Sequence, residues 1–262
     1  MSGGWTALIL AASGADDPLA RAEGAPCRGL IDLAGRPLLQ RALDALLEAP
    51  SVDRVVVAAD DARLLAALAP RPQAAQPGET ALDTVRAAFA QLGPPLLVVG
   101  DRALPSPELI EEFLAGALLS KAAAAIGVVP ESSVRAGYPE VERAYLRFAE
   151  DGYAATHLFA LLGGEADRAL AFCAEIDWSA RQPWALIRAI DPWTLGRFVA
   201  RRLTLAQAVD RLGRRLKLPL AAVPVFAPEA AFELETPQGL ALARRLYASR
   251  ALAPPPQGRM KE

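Results

Sequence analysis

Along the first 130 residues, short apolar runs alternate with amphipathic stretches, and that alternation leaves few architectures open. Trp5 to Leu10 is a six-residue run bounded by glycine and by a polar loop, which suits a strand buried on both faces. Pro37 to Leu47 places Leu38, Leu39, Ala42, Leu43, Leu46 and Leu47 at helical spacing, with a proline at the favoured first turn. Arg54 to Ala59 is strand-like, and Asp61 to Leu68 is helical again. Thr80 to Leu92 carries Leu82, Val85, Ala88, Phe89 and Leu92 on one face. Leu96 to Gly100 is a third strand, Ser106-Pro107-Glu108 starts a helix, and Ala123 to Val129 is a fourth strand. Strands alternating with helices predict an α/β fold, a mostly parallel sheet flanked by helices on both faces.

The rhythm then changes. Ala144 to Phe148 and Leu158 to Leu162 read as strands able to pair antiparallel, with a turn at Asp151-Gly152. Residues 164–216 read as a helical insertion, with Leu195, Phe198, Val199 and Leu203 on one stripe and Val209, Leu212 and Leu216 on the next. It is expected to pack on one edge of the sheet. Leu220 to Phe226 returns to strand, and Thr236-Pro237 opens a last helix to about Tyr247. Residues 251–262, with Pro254-Pro255-Pro256, read as a disordered tail. With no internal repeat and no linker, residues 1–250 read as a single domain.

Composition narrows the function classes. The chain has 262 residues, 53% of them hydrophobic, ample for a sizeable core. Lys+Arg 28 against Asp+Glu 30 gives a net charge of −2, which argues against a general polyanion binder. No nucleic-acid partner is expected, although Trp178, Trp184 and Trp193 lie among arginines. Those tryptophans read as core or as a homodimer contact. Cys27 and Cys173 are too few for a disulfide framework, and no zinc spacing exists. His157 is the single histidine. No apolar stretch reaches membrane length and the N-terminal run lacks a basic lead, so a cytoplasmic chain without a membrane partner is expected.

Ligands of a parallel sheet bind at the carboxyl ends of its strands, and three places there carry chemistry. Ala11-Ala12-Ser13-Gly14 follows the first strand, with Arg21 and Arg28 beyond it. Small residues let backbone N–H groups approach a phosphate or a base, and arginines supply counter-charge; an ordinary strand-to-helix turn would look the same. Asp101 ends the third strand, where a carboxylate is placed to hold a divalent cation or simply to begin a turn. In Phe232-Glu233-Leu234-Glu235-Thr236-Pro237, alternation puts Glu233 and Glu235 on one face, and Thr236 is placed to cap the last helix.

Read together, these segments resemble the MobA-like nucleotidyltransferases (NTP transferases), which have a glycosyltransferase-A-type Rossmann fold. The resemblance rests on Leu10-Ala11-Ala12-Ser13-Gly14, on the run from Arg28-Gly29-Leu30 through Gly35-Arg36-Pro37-Leu38-Leu39, on Val98-Val99-Gly100-Asp101, and on Glu235-Thr236-Pro237. It implies Mg²⁺-dependent transfer of a nucleoside monophosphate from an NTP to a phosphorylated or alcohol acceptor, with release of pyrophosphate. It further implies that Ala11, Ala12, Ser13 and Gly14 meet the base and triphosphate and that Arg21 and Arg28 neutralise the phosphates. Gly78 to Asp83 would read the base edge, Asp101 and Glu235 would share the Mg²⁺, and His157 would stand on the acceptor side, beside the insertion. On this reading Arg28 and Asp101 are the catalytic pair.

The chain departs from the family pattern at several of these points. Ser13 stands where glycine is usual, Asp16-Asp17-Pro18 where the second glycine and its neighbours would lie, and Arg28 at the family's lysine. Ala103 replaces a frequent proline, Ala155-Thr156-His157 a frequent glycine pair with asparagine, and Glu235 a shorter Asp or Asn. Asp16 and Asp17 beside a triphosphate would repel it unless they turn away or bind metal. A catalytically impaired nucleotide-binding relative is therefore the alternative reading. His157 also has the plainer reading of a hydrogen-bonded structural residue. Cys27, near Arg21 and Arg28, reads as packing, with a lowered thiol pKa as the alternative.

Overall fold

Strand β1 (Trp5–Ala11) lies at the centre of the sheet and is buried almost throughout, as a six- to seven-residue apolar run requires. The computed structural model describes residues 4–11, 17–100, 102–175, 192–232, 234 and 236–252. Ala12, Ser13, Gly14, Asp16, Asp101, Trp178, Trp184, Glu233, Glu235 and most of the predicted tail lie outside the described residues.

After a short helix α1 (Pro18–Ala22), a two-residue ladder β2 (Asp32–Leu33) and β3 (Arg36–Pro37) forms a tight hairpin. Its turn residues Ala34 and Gly35 both take positive φ, 53° and 80°, the geometry that matches strand twist in a two-residue turn. Pro37 thus closes a hairpin and stands just before helix α2 (Leu38–Glu48), one step earlier than expected. Leu39, Leu43 and Leu46 of α2 are buried in the main core, each stabilising the fold by about 1.5–3 kcal/mol. The chain continues through β4 (Val52–Ala59), α3 (Ala62–Ala66), β5 (Gln73–Ala75), α4 (Ala81–Leu92), β6 (Leu96–Val99), α5 (Pro107–Ser120), β7 (Ala124–Pro130) and α6 (Glu131–Gly137). Apart from β5 and α6, which the sequence reading did not include, these follow the expected alternation, with Thr80 and Ser106 capping α4 and α5.

Beyond α6 come β8 (Leu146–Arg147), β9 (Gly152–Leu161), α7 (Asp167–Glu175), α8 (Pro192–Val199), α9 (Leu205–Leu216), β10 (Leu220–Pro224) and α10 (Pro237–Leu252). The eight-stranded sheet has the order β10-β7-β9-β6-β1-β4-β5, with β8 on β9. All neighbours pair parallel except β9, which runs antiparallel to β6, β7 and β8. The sheet is therefore mostly parallel and flanked by helices. One face carries a core built with α2, α3, α5 and α6, and the other a smaller core with α4 and α7. Helix α10 buries Leu240, Leu242 and Ala243 against Leu19, Ile31, Leu33 and Leu38.

Strand β9 corrects the expectation for this stretch. It begins at Gly152 and runs unbroken past His157, so Asp151-Gly152 is not a free-standing turn and His157 does not precede the strand. Its first half, Gly152-Tyr153-Ala154-Ala155-Thr156-His157, is mostly small or polar, which hides it from strand patterning. The pairing with β7 also bulges: Ile126 faces Phe159 but Val128 faces Ala155. His157 sits in that bulge with φ +61°, a left-handed conformation that costs free energy for a non-glycine residue. Gly127 lies opposite, where a Cβ would come 2.3 Å from Thr156 Oγ1.

The insertion is helical where it is described. α7 lies against α4, and α9 covers the edge strand β10. Leu195, Phe198, Leu203 and Ala208 close over Phe148 and Tyr153 of the β8–β9 hairpin. Val199 and Trp193 depart from the predicted stripe and core, being 73% and 71% exposed. The last helix runs five residues past Tyr247, to Leu252, because Leu246 and Tyr247 still pack on the α10 cluster. Among the described residues no helix is long and apolar enough to cross a membrane.

Candidate functional site

The strand order turns back between β1 and β6: β4 and β5 extend the sheet on one side of β1, and β6 starts the other. Such a switch point opens a crevice outside the carboxyl ends of the two strands. Register places Ala11, beside Ala59, at the end of β1, and Val99, beside Ile9, at the end of β6. The described residues of the sequence-read segments on this edge are Ala11, at the end of β1, and Gly100, just past the end of β6.

On the β1 side, Asp17 is the N-cap of α1, its Oδ1 accepting from Leu19 N at 2.9 Å and Ala20 N at 3.0 Å. Its Oδ2 pairs with the guanidinium of Arg28, and both side chains are largely buried, at 5% and 13% exposure. Burial pushes the Asp17 carboxyl up, but the hydrogen bonds from Ala20 N–H and Arg28 outweigh it and hold the pKa below the ordinary value. Of the alternatives open for Asp17, repelling a phosphate, turning away or binding metal, the structure shows the side chain turned away. It turns inward as a cap and sets part of the Arg28 charge against its own. Arg21 stands exposed in the last turn of α1. Cys27 is buried, and burial drives its thiol pKa up rather than down, so its place is in the core.

On the β6 side, Gly100 N donates to His157 O at 3.0 Å, and a Cβ at Gly100 would lie 3.2 Å from His157 Cβ. The imidazole therefore starts directly over the end of β6. Ala103 N donates to Gly100 O at 3.0 Å, a turn with Arg102 at its corner. Arg143, between α6 and β8, donates to Ala231 O at 2.7 Å and to Ala155 O, two residues before His157. Burial, then Arg143, Arg102 and Arg28, lower the His157 pKa from 6.5 to about 4. The imidazole is neutral at physiological pH, and the charges of three arginines from three separate segments act on it.

Gly78 and Asp83 have structural tasks. Asp83 closes a capping box with Thr80, accepting from Thr80 N at 3.2 Å and Thr80 Oγ1 at 2.6 Å. Gly78 N donates to Thr84 Oγ1 at 2.8 Å, and a Cβ there would meet Asp83 Cβ at 2.7 Å. The small residue at 78 is thus dictated by the start of α4, which follows the carboxyl end of β5. Thr236 caps α10, its Oγ1 accepting from Gly239 N at 3.0 Å. Among the described residues no group of three or more His, Cys, Asp or Glu converges to hold a metal. Sequence reasoning missed Arg102 and Arg143. Arg102 adjoins Asp101 and was findable by position, whereas nothing local in Glu142-Arg143-Ala144 signals that Arg143 folds back onto β9.

Comparison with known proteins agrees with this architecture. A hypothetical transferase from Thermus thermophilus superposes with a TM-score of 0.76 at 23% identity, over 91% of this chain and all of that one. A CMP:2-keto-3-deoxy-manno-octonic acid synthetase complexed with CTP gives 0.58 at 17% identity, over 95% of this chain and all of that one. The 2-C-methyl-D-erythritol 4-phosphate cytidylyltransferase of Francisella tularensis gives 0.56 at 16% identity, over 93% and 99%. At these identities the likeness is one of fold. In sequence, a 3-deoxy-manno-octulosonate cytidylyltransferase of Anaeromyxobacter sp. (strain Fw109-5) is 42% identical over 100 residues, 36% of this chain. That match spans 41% of the relative, less than half its length. The model of the MobA-like NTP transferase domain matches residues 7–249. With the sheet order, the switch-point crevice and the arginines around it, this match settles the family: the chain belongs to the MobA-like NTP transferases.

Proposed function

We propose that the protein transfers a nucleoside monophosphate, with CTP as the first nucleotide to test, to a small acceptor carrying a phosphate or an alcohol, and releases pyrophosphate. The observation that carries this reading is that His157, tied to Gly100 at the carboxyl end of β6, feels the charges of Arg28, Arg102 and Arg143, which come from three segments. Phosphoryl chemistry is catalysed mainly by positioning and by charge placed where it develops, and arginine forks suit phosphate oxygens. CTP comes first because the cytidylyltransferase match covers 100 residues at 42% identity.

In this reading Ala11 to Gly14 lead the backbone up to the triphosphate, Arg21 and Arg28 neutralise it, and Gly78 to Asp83 flank the base. Asp101 and Glu235 would hold Mg²⁺; their carboxylate oxygens are the hard donors this ion takes. Bound there, Mg²⁺ would supply charge neutralisation at the transferred phosphate. Arg28 follows Arg21 beyond the first loop, and its rigid fork replaces the point charge of a lysine.

The Asp17–Arg28 pair favours a second reading, a nucleotide binder with impaired turnover, because a carboxylate holds part of the charge that the transition state needs. One experiment separates the two. Thermal shifts with the four NTPs, with and without Mg²⁺, report binding by mass action. Pyrophosphate release across phosphorylated and polyol acceptors reports turnover. Stabilisation with turnover supports transfer, stabilisation alone supports the binder, and no stabilisation by any NTP sinks both.

A further inference from the structure

Arg28 sits in a stretch of chain that is held in place from the far end of the sequence. Leu19, Ala20, Ile31, Leu33 and Leu38, before and after it, are buried in a cluster shared with Leu240, Leu242 and Ala243 of α10. Within that stretch Cys27 and Leu30 reach the main core instead. One guanidinium of α10 spans the stretch: Arg244 donates to Glu23 Oε1 at 3.2 Å and Oε2 at 2.6 Å, and to Asp32 O at 3.2 Å. Glu23 is the C-cap of α1, and Asp17, the partner of Arg28, is its N-cap. Arg244 therefore pins one end of a short helix whose other end holds Arg28, and pins the chain again at Asp32. A second contact follows the first: Arg41 donates to Leu33 O at 3.0 Å and to Ala34 O at 2.6 Å, with its guanidinium carbon 4.5 Å from the ring centroid of Tyr247 on α10. Exposed ion pairs add little to stability, and the Arg244–Glu23 side chains are 43% and 27% exposed. Stability alone is a weak reason for such a pair. Joining both ends of one segment with a rigid fork fixes where that segment sits.

We propose that Arg244 is a positioning residue for Arg28, fixing from α10 the segment that carries this guanidinium to the nucleotide's phosphates. The proposal rests on the transfer reading above. An arginine acting on charge that develops in the transition state must be held closely, because a misplacement of about 1 Å can cost ~10²-fold in rate. Ground-state binding of a flexible triphosphate tolerates more. Loss of Arg244 leaves Asp17 on Arg28 but releases Glu23 and Asp32, so α1 and Arg28 shift together. Turnover then falls more than nucleotide affinity. A lysine at 244 does not replace the arginine, since it brings a compact point charge without the planar fork that joins Glu23 to Asp32.

The full chain is compared with Arg244→Gln, Arg244→Lys and the reversed pair Glu23→Arg with Arg244→Glu, using CTP with Mg²⁺ and the acceptor that supports turnover in the unchanged protein. Arg244→Gln should lower kcat about tenfold or more while the KM for CTP changes less than about threefold. Its denaturation midpoint should stay near that of the unchanged protein. Arg244→Lys should fall in between, and the reversed pair should regain part of the loss. Arg214→Gln, which breaks an exposed pair with Asp210 on α9, is the control and should leave kcat in place. A second readout needs no turnover and follows Arg28 itself. Its Nε–H signal in ¹⁵N-arginine-labelled protein, identified by its absence in Arg28→Lys, should move in Arg244→Gln and stay in Arg214→Gln. The proposal is overturned if Arg244→Gln keeps its kcat, if its lost turnover only follows lost stability, if the reversed pair regains nothing, or if the Arg28 signal does not move. The signal also separates this proposal from the reading beneath it. A protein that turns over no NTP with any acceptor removes the transfer role, while a moved Arg28 signal still shows that Arg244 sets its place.

Discussion

The two flanks of the crevice hold their cations in opposite ways. On the β1 side the guanidinium of Arg28 is fixed by a carboxylate, Asp17, which also caps α1. On the β9 side the guanidinium of Arg143 is fixed by two main-chain carbonyls. The first arrangement ties a guanidinium to a side chain that a single substitution can remove, and the second ties it to the main chain, which no substitution of those partners removes.

The largest expected effect breaks the β1 flank. Arg28→Ala should lower turnover by roughly 2.7–4 kcal/mol, the usual loss for one transition-state donor, while changing nucleotide affinity far less. Arg28→Lys should keep most of the activity. Asp17→Asn preserves a cap acceptor but removes the opposing charge, so the NTP KM should fall. Steady-state kinetics on the three variants check this, and an unchanged kcat in Arg28→Ala would remove Arg28 from the mechanism.

The next effect belongs to the other flank and is read by pH. His157 binds a proton below about pH 6.5 when unfolded but only below about pH 4 when folded. Between these values the unfolded chain holds more protons, so stability falls as the pH drops from 6.5 to 4, by about 3 kcal/mol at most. His157→Gln should flatten that part of a denaturation profile. Arg143→Gln should raise the imidazole pKa by removing the stronger of the charges that lower it, which NMR titration measures directly. Asp17 acts in the same direction over a lower window, since its lowered pKa makes a contribution present above about pH 4 and lost as the pH falls further.

Two smaller effects sharpen the boundary of the site. Asp83→Ala removes one half of the capping box and should cost about 1 kcal/mol in chemical denaturation. If the preference among NTPs is unchanged, Asp83 is a cap and not a reader of the base. Thr156 Oγ1 is buried with no hydrogen-bond partner among the described residues. Thr156→Val keeps the shape against Gly127 and removes an unmet polar group, so it should stabilise the fold by about 1 kcal/mol. A loss instead would show that the hydroxyl helps to hold the bulge.

The parallel wing was legible where its strands are buried on both faces and its helices repeat at 3.6 residues; β5, three residues long and largely exposed, gave no such signal. Trp5–Ala11, Leu96–Val99 and the Thr80-capped helix fell within a residue or two of expectation for that reason. Strand β9 was half hidden: its glycine, alanines and histidine carry no strand preference, and pairing on both sides makes it a strand. The Gly35-Arg36-Pro37-Leu38-Leu39 segment marked the family, yet its two-residue hairpin shows only in the positive φ of Ala34 and Gly35.

By itself the sequence determined the layer architecture and most of the order of strands and helices within it. Apolar periodicity and small-residue loops are local properties, and a chain carries them openly. Only the tertiary structure decided that Asp17 turns inward onto Arg28, that Asp83 closes a cap, and that Arg143 reaches the carbonyl of Ala155. Those outcomes depend on distances between segments far apart in the chain. The same residue type becomes a cap, a counter-ion or a ligand-binding group according to which partner the packed core brings within hydrogen-bond reach.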